Sequence, residues 1–211
     1  MRFLITAGGT REYIDPVRFI SNSSSGRMGY ALARAALDAG HKVTLITAPV
    51  NLRMPAGAEA VCIVGSEDMF AAVRKHFCRC DCLIMAAAVG DYAPVKAKNK
   101  IKRSDKFLTI KLRPTVDILR WAGEHKRPNQ ITIGFALEDK DLRRRAEKKL
   151  RDKNLDMIVA NTPAAIGCDR ACVQIKRAGE KWLKLPQLSK AAIAKKIISL
   201  GENCGKDVNC R

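Results

Sequence analysis

Aromatic residues are scarce in this sequence. They make up only 5% of its 211 residues, and they do not alternate with the basic residues. Proteins that bind single-stranded nucleic acid stack aromatic rings on the bases inside a basic groove. The scarcity of aromatic residues therefore argues against nucleic acid as the substrate.

Long apolar runs are absent as well, because no stretch reaches the roughly 18 apolar residues that cross a bilayer. The apolar stretch after Met1 is too short for a signal peptide and leads directly into Gly8 and Gly9. We therefore expect a cytoplasmic protein that has no membrane partner.

The eight cysteines lack the spacing of a metal site, since no CxxC pair occurs and the three histidines have no matching arrangement. Cys78, Cys80 and Cys82 occupy alternate positions, and Cys82 lies where a buried strand is expected to begin. We interpret the cysteines as reduced thiols that serve as small apolar residues. The sequence identifies no set of metal ligands.

Positive charge is in excess, because 39 Lys and Arg residues face 21 Asp and Glu residues and give a net charge of +18. The excess is concentrated in residues 101–211, which hold 26 of the basic and 13 of the acidic residues. Such an excess is typical of nucleic-acid-binding proteins, but it also suits a small polyanionic substrate or simple solubility. Composition leaves these alternatives open.

Short apolar runs alternate with amphipathic segments along the chain. The pattern predicts strands at residues 3–7, 42–47, 61–64, 82–86, 131–135 and 157–160, helices at residues 28–40, 66–77, 116–124, 142–153 and 189–200, and a β-hairpin at residues 172–185. This alternation is typical of an α/β, Rossmann-like, mostly parallel sheet with helices on both faces. We expect one domain at residues 1–200 and a flexible tail at residues 201–211.

A serine-rich segment precedes the first predicted helix, where residues 21–26 read SNSSSG. Free backbone N–H groups and the helix dipole favour an anion at such a position. Ligands of open α/β sheets bind beyond the carboxyl ends of the strands, and this segment follows the first strand. The segment is therefore a candidate phosphate site, with an ordinary serine cap as the alternative. It is neither a GxGxxG fingerprint nor a P-loop.

Three other segments are further candidates. The small residues at positions 86–90 would let a base or ribose lie against the backbone, and Asp91 follows them. The basic run at residues 96–103 is either a solvated face or a triphosphate clamp. Lys149 and Lys153 share one helix face, where their repulsion is easier to explain if a polyanion lies between them.

Several of these segments carry a resemblance to a known family. Residues 6–12, 14–22 and 24–29 read TAGGTRE, IDPVRFISN and SSGRMG. This long combination resembles phosphopantothenate–cysteine ligases, the ligase domain of the bacterial bifunctional coenzyme A biosynthesis proteins. The resemblance continues at residues 86–91, 100–103, 134–138, 149–156 and 159–161, so that it spans about residues 2–200.

The resemblance implies an amide-forming ligase of coenzyme A biosynthesis. In this family CTP activates the carboxylate of 4′-phosphopantothenate as an acyl-cytidylate, and the amine of cysteine then displaces CMP. Mg²⁺ is expected with the triphosphate, and a homodimer that uses the hairpin at residues 172–185 is expected too. We expect the chain to be the ligase half alone, without flavin, and a separate flavin-dependent decarboxylase to be a further partner.

The resemblance also implies roles for individual residues. Asn22 matches the catalytic asparagine that contacts the acyl-nucleotide, and Lys100 matches the catalytic lysine of a mobile flap. The positions expected to bind the nucleotide are Ser24, Ser25, Gly26, Ala87, Asp91, Lys100, Thr115, Val116, Asp117, Ile118, Phe135, Lys149 and Lys153.

The sequence departs from the family pattern in three places. Val116 stands where the family has proline, residues 162–164 read TPA after Asn161 in place of Asp-Val-Ser, and Arg103 replaces the last flap lysine. The first departure weakens the expectation for that loop's conformation, and the second weakens the expectation of base contacts after Asn161.

Three rival interpretations follow from the same residues. An NAD(P)-binding, reductase-like Rossmann protein needs a dinucleotide fingerprint and a hydride-transfer residue, and we find neither. A basic nucleic-acid-binding module would use the net charge of +18. A non-catalytic member of the ligase family is a third reading, and the presence of Asn22 and Lys100 argues against it.

Overall fold

An eight-stranded sheet forms the centre of the protein in a computed structural model that describes residues 1–204. Its strands are β1 (Arg2–Ala7), β4 (Lys42–Thr47), β5 (Glu59–Cys62), β6 (Cys82–Met85), β9 (Ile131–Leu137), β10 (Met157–Asn161), β12 (Gln174–Arg177) and β13 (Leu183–Lys184). Three two-stranded sheets accompany it, formed by β2 (Arg11–Tyr13) with β3 (Phe19–Ser21), β7 (Tyr92–Pro94) with β8 (Leu112–Pro114), and β11 (Arg170–Ala171) with β14 (Leu188–Ser189).

The main sheet has the strand order β13-β12-β10-β9-β6-β1-β4-β5. All pairs from β10 to β5 are parallel, and the hairpin of β12 and β13 adds antiparallel to β10. In the centre, Ile5 of β1 lies between Leu45 of β4 and Ile84 of β6. The predicted mostly parallel α/β sheet with a carboxyl-terminal hairpin is therefore confirmed.

Helices cover both faces of this sheet, as predicted. In the described part of the chain they are α1 (Arg27–Asp38), α2 (Ser66–Phe77), α3 (Ile118–His125), α4 (Leu142–Asp152) and α5 (Lys190–Cys204). Side chains alternate along a strand, so β1 directs Phe3 and Ile5 to one face and Leu4 to the other. The first two pack in a core with α1 and α5, and Leu4 packs in a second core with α2, α3 and α4.

A close approach of α1 to β1 sets the position of the helix start. A Cβ atom on Gly29 would lie 2.5 Å from the Cβ of Ala7 and 2.8 Å from the backbone oxygen of Thr6. Only glycine permits this distance, and it brings the first turn of α1 against the carboxyl end of β1.

Two parts of the sequence prediction are wrong at the level of whole elements. The stretch between the predicted strand at residues 3–7 and the predicted helix at residues 28–40, where no regular element was expected, contains β2 and β3, which pair antiparallel. The last helix continues to Cys204 rather than ending at Leu200, because Gly201 is buried beside Ile133 of β9 and lets the helix pack there. Residues 205–211 of the predicted tail lie outside the described residues.

Smaller boundary differences accompany these. The weak third strand comes earlier than predicted, at Glu59–Cys62 rather than at residues 61–64. Helix α2 keeps the predicted bounds, with Gly65 as its N-cap, and Glu12 accepts hydrogen bonds from the N–H and the hydroxyl group of Ser66, its first residue. Helix α3 begins at Ile118, so that Thr115 and Val116 precede it.

The cysteines divide into two groups. Cys80 and Cys82 are buried, and burial raises the pKa of Cys80 to about 11, which agrees with their interpretation as apolar residues. The same interpretation is wrong for the four exposed cysteines, which are Cys62, Cys78, Cys168 and Cys172. None of the seven cysteines among residues 1–204 forms a disulfide.

Candidate active site

A cavity of about 640 Å³ opens where the parallel strands β1, β6, β9 and β10 end, and loops that follow these strands line it. This is the edge at which open α/β sheets bind ligands. All but one of the predicted site residues line this single cavity, namely Asn22, Ser24, Ser25, Gly26, Ala87, Asp91, Thr115, Val116, Asp117, Ile118, Phe135, Lys149 and Lys153.

Lys100 is the exception. It is exposed and does not line the cavity. It belongs to the connection between β7 and β8, whose residues 95–111 run past the β2–β3 turn. The structure therefore does not bring Lys100 together with Asn22, and its catalytic role stays a prediction.

The first turn of α1 forms one side of the cavity. Gly26 is its N-cap and has a φ of +72°, a left-handed conformation that favours glycine. Within residues 1–204 no side chain caps this helix. The alternative of an ordinary serine cap is therefore wrong, and the first N–H groups of α1 carry no side-chain cap, while phosphate binding at the SNSSSG segment stays a prediction.

Two cationic side chains accompany this helix start. Arg27 forms an ion pair of 2.5 Å with Asp169 and also donates to the backbone oxygen of Gly167. Lys190, the first residue of α5, is half-buried at the cavity wall. Burial lowers the pKa of Lys190 and the neighbouring Arg27 lowers it further, so an anion would relieve an unfavourable pair of charges.

Asn22 is held by the loop that follows β6. Its side-chain Nδ2 donates to the backbone oxygens of Ala88 at 3.1 Å and Val89 at 3.3 Å. No group among residues 1–204 donates to its Oδ1 atom. The amide group is thus oriented by the protein and keeps one acceptor for a ligand.

The loop that carries Asp91 is fixed by hydroxyl groups. The backbone N–H of Gly90 donates to Thr10 Oγ1 at 2.9 Å, and Thr115 Oγ1 donates to the Gly90 oxygen at 2.6 Å. The backbone N–H of Thr115 donates to the backbone oxygen of Asp91 at 2.9 Å. These contacts hold the segment after β6 and the segment before α3 together, although Val116 stands where the family has a proline.

The opposite side of the cavity carries Lys149 and Lys153. Lys149 Nζ donates to the backbone oxygen of Phe135 at 2.8 Å, and Lys153 forms an ion pair of 2.8 Å with Asp117. Burial lowers the pKa of Lys149, and Lys153 lowers it further. Asp117 thus already offsets part of the predicted repulsion between the two lysines, while Lys149 forms no direct ion pair within the described chain and is attracted at longer range by Asp117, Glu138 and Asp91.

Asp117 itself has two functions in the fold. Its burial opposes ionisation, but the hydrogen bond from Lys153 and the backbone N–H of Arg120 keep its pKa below the usual range. The bond from Arg120 makes Asp117 the N-cap of α3. The side chain therefore remains a carboxylate that joins α3 to the end of α4.

Carboxylates at the cavity are few. Within residues 1–204 no group of three or more His, Cys, Asp or Glu side chains could hold a metal ion. Asp117 is paired with Lys153, and Glu138 is paired with Arg145. Asp91 is the carboxylate at the described cavity wall without a cationic partner.

Some cavity residues were not among the predicted site residues. They include Arg27, Glu138, Asn161 and Lys190. Arg27, Glu138 and Asn161 lie inside the motifs that carried the resemblance, so a signal for them was present. Lys190 had none, because it reaches the cavity only through the packing of α5 beside α1.

The fold and this cavity define an α/β protein with a cation-lined cavity at the carboxyl edge of a mostly parallel sheet. Residues 1–203 match the family described as DNA/pantothenate metabolism flavoprotein C-terminal domain, and the chain belongs to that family. Among residues 1–204 no helix has the length and apolar character needed to cross a membrane.

Several curated proteins are similar to this chain in sequence. The coenzyme A biosynthesis bifunctional protein CoaBC of Bacillus subtilis (strain 168) is 44% identical over 201 residues, which cover 92% of this chain and 49% of that protein. A protein of unknown prokaryotic origin named cysteine/cysteine sulfinic acid decarboxylase is 48% identical, over 76% of this chain and 45% of its own length. The chain thus spans about half the length of these curated relatives.

A solved structure is similar over almost the full length. The crystal structure of the C-terminal domain of the CoaBC protein aligns with a TM-score of 0.86 at 39% identity and covers 98% of this chain and 96% of that one. The similarity therefore concerns the complete fold, including the strands that surround the cavity.

Proposed function

We propose that this chain is a phosphopantothenate–cysteine ligase of coenzyme A biosynthesis that uses CTP. The observation that carries the proposal is that Asn22 and every expected nucleotide-binding residue except Lys100 line one cavity at the sheet edge. The similarity to CoaBC proteins over 92% of the chain supports it. Cations at two sides of the cavity suit two phosphorylated substrates.

The reaction has two steps. An oxygen of the 4′-phosphopantothenate carboxylate attacks the α-phosphorus of CTP, which forms an acyl-cytidylate and releases pyrophosphate. The neutral amine of cysteine then attacks the acyl carbon, the new C–N bond replaces the bond to CMP, and the amine loses its proton. Lys149, Lys153 and the start of α1 offset the charge of the phosphates during the first step.

Asn22 belongs to the second step in this proposal. Ala88 and Val89 hold its Nδ2, and Oδ1 is left as an acceptor toward the cavity. That atom can accept a hydrogen bond from the amine of cysteine and orient it toward the acyl carbon.

A Mg²⁺ ion on the triphosphate suits the residues present. The described chain offers no cluster of three ligands, and Mg²⁺ at nucleotide sites is bound by one or two carboxylates together with phosphate oxygens and water. Asp91 would supply the carboxylate. The ion would offset phosphate charge when pyrophosphate leaves.

A homodimer and a separate flavin-dependent decarboxylase remain part of the proposal. The hairpin of β12 and β13 exposes few large apolar side chains, of which Leu183 is one. The two small sheets β2–β3 and β7–β8 and the residues that adjoin their strands expose more of them, namely Val17, Phe19, Ile20, Tyr92, Val95 and Leu112. Because β2 packs against β7, these sheets are the better candidate for the dimer contact.

The decisive experiment supplies the purified protein with CTP, 4′-phosphopantothenate and cysteine. We expect release of CMP and pyrophosphate in equal amounts, and CMP release that requires cysteine. ATP in place of CTP tests the choice of nucleotide. Absence of product with every nucleotide would contradict the proposed function. Light scattering on the same sample, with Ile20→Lys as the comparison, measures the oligomeric state.

A further inference from the structure

The turn between β2 and β3 is built around a buried carboxylate. The Asp15 side chain is fully buried, and its Oδ1 accepts from the backbone N–H groups of Val17 and Arg18, both at 2.8 Å. Its Oδ2 accepts from the Arg18 guanidinium group at 2.5 Å and 3.0 Å. Burial opposes ionisation, but these donors hold the pKa of Asp15 well below its usual range.

The same pair binds a residue 86 positions further along the chain. The N–H of Ile101 donates to Asp15 Oδ2 at 3.1 Å, and Arg18 Nη2 donates to the Ile101 oxygen at 2.7 Å. Both polar backbone groups of Ile101 are therefore held by Asp15 and Arg18. Ile101 directly follows Lys100.

A second contact fixes the other side of this segment. The N–H of Ala97 donates to the backbone oxygen of Ile14 at 2.8 Å. Residues 98–100 thus form a short arch whose two ends, Ala97 and Ile101, are attached to the same turn at residues 14–18. A tether of three residues limits the positions that Lys100 can reach.

The turn also leads directly into β3 and then to Asn22. β3 is held in register by the pairs of Arg11 with Ser21 and Tyr13 with Phe19. We propose that Asp15 is a positioning residue, which sets the arch of Lys100 relative to Asn22 through the turn that both segments share. This inference rests on the proposed function for the role of Lys100, while the attachment of the arch stands without it.

The chemistry of the turn requires a carboxylate. Every partner of the Asp15 side chain is a hydrogen-bond donor, and a carboxylate is an acceptor at both oxygens. An asparagine at this position has the same shape but directs an NH₂ group at one set of donors. Asp15→Asn therefore preserves the volume and removes part of the attachment.

Trypsin digestion of the full chain measures the attachment directly, because Lys98, Lys100 and Lys102 lie in or beside the arch. We expect Asp15→Asn to increase the rate of cleavage within residues 98–103 about 10-fold, in line with the loss of bonds to a charged group. Glu12→Gln is the matched control. Glu12 is also a buried carboxylate in this hairpin, but it binds Ser66 rather than the arch. In Glu12→Gln the rate of cleavage within residues 98–103 should therefore change less than about two-fold.

Kinetics test whether the attachment acts through Lys100. We expect Asp15→Asn to lower kcat about 10-fold and to leave the KM for CTP within about two-fold, because the nucleotide cavity is not altered. In a Lys100→Ala background the same substitution should lower kcat by less than about two-fold. An equal loss in both backgrounds would show a merely structural role.

The outcomes separate this inference from the proposed function. Unchanged cleavage in Asp15→Asn overturns the attachment, whether or not the protein is a ligase. Faster cleavage together with absence of ligase activity in the unmodified protein overturns the proposed function and leaves the attachment in place. If Asp15→Asn does not fold, Arg18→Met tests the same link, because the half-exposed Arg18 side chain holds the Ile101 oxygen from outside.

Discussion

Lys153 Nζ lies 2.8 Å from Oδ2 and 2.9 Å from Oδ1 of Asp117. This pair joins the residue that follows α4 to the residue that caps α3, at the wall of the cavity. An ion pair at a ligand site has two consequences. It orients the cation, and it lowers the net charge that a phosphate group would meet.

Replacing Lys153 should weaken nucleotide binding. Lys153→Met removes a cation and leaves Asp117 with only the longer ion pair of 3.7 Å to Arg120, so we expect the Kd for CTP to rise about 10- to 100-fold in calorimetric titration. Lys148→Met is the matched control. Lys148 lies on α4, five residues before Lys153, is exposed and pairs with Asp152 outside the cavity, so its loss should leave the Kd within about two-fold. Equal effects of both substitutions would mean that only the overall charge matters.

The pH dependence of nucleotide binding should reflect the protonation of the Lys149 side chain. Its pKa lies below the ordinary value of 10.5, so its ammonium form is lost at lower pH than for a free lysine. Binding of an anion favours the protonated form, and the affinity for CTP should therefore fall as pH rises through the lowered pKa. Titrations from neutral to alkaline pH check this, and Lys149→Met should remove the dependence. A slope that persists in the variant would assign it to another group.

The contribution of Lys149 to the stability of the ligand-free protein should rise with pH, whereas the affinity for CTP falls. Between the lowered pKa of Lys149 and 10.5 the unfolded chain binds more protons than the folded one at this position. The contribution of Lys149 to the free energy of unfolding therefore rises with pH in that window. Urea unfolding of the protein and of Lys149→Met at matched pH values measures this contribution as the difference between the two slopes.

Substitution of Asn22 should affect the second step of the reaction alone. With Asn22→Ala we expect pyrophosphate release to continue while cysteine attack slows about 100-fold, because one oriented polar group is lost near the reacting amine. Mass spectrometry of the quenched reaction should then detect the acyl-cytidylate. Unchanged turnover of this variant would contradict the role assigned to Asn22.

The contact of α1 with β1 should be sensitive to one methyl group. Gly29→Ala places a Cβ atom 2.5 Å from the Cβ of Ala7, and we expect a loss of about 1–3 kcal/mol in the free energy of unfolding. Gly201→Ala is a matched helical glycine whose Cβ would meet Ile133 Cδ1 at an acceptable 3.4 Å, so stability should stay within about 1 kcal/mol. Guanidinium unfolding of both variants compares them, and similar losses would show that the close approach is not critical.

Regular elements with strong local patterns were predictable. The strand at Lys42–Thr47 and the helix at Ser66–Phe77 have the predicted bounds, because apolar periodicity and terminal residues act over neighbouring positions. The strands β2 and β3 were missed because each has three residues and weak periodicity. They are held by distant contacts, such as the bond from the Arg11 N–H to the Val64 oxygen.

The sequence by itself determined the alternating α/β order, the serine-glycine segment before α1 and the motifs that bear the family resemblance. Only the tertiary structure decided that Lys190 reaches the same cavity, that Asp117 neutralises part of the Lys149 and Lys153 cluster, and that Asp15 holds Ile101. Periodicity and motifs depend on residues close in the chain, so a sequence displays them. The three contacts join residues 36 or more positions apart, and packing of the helices and loops at one sheet edge creates them.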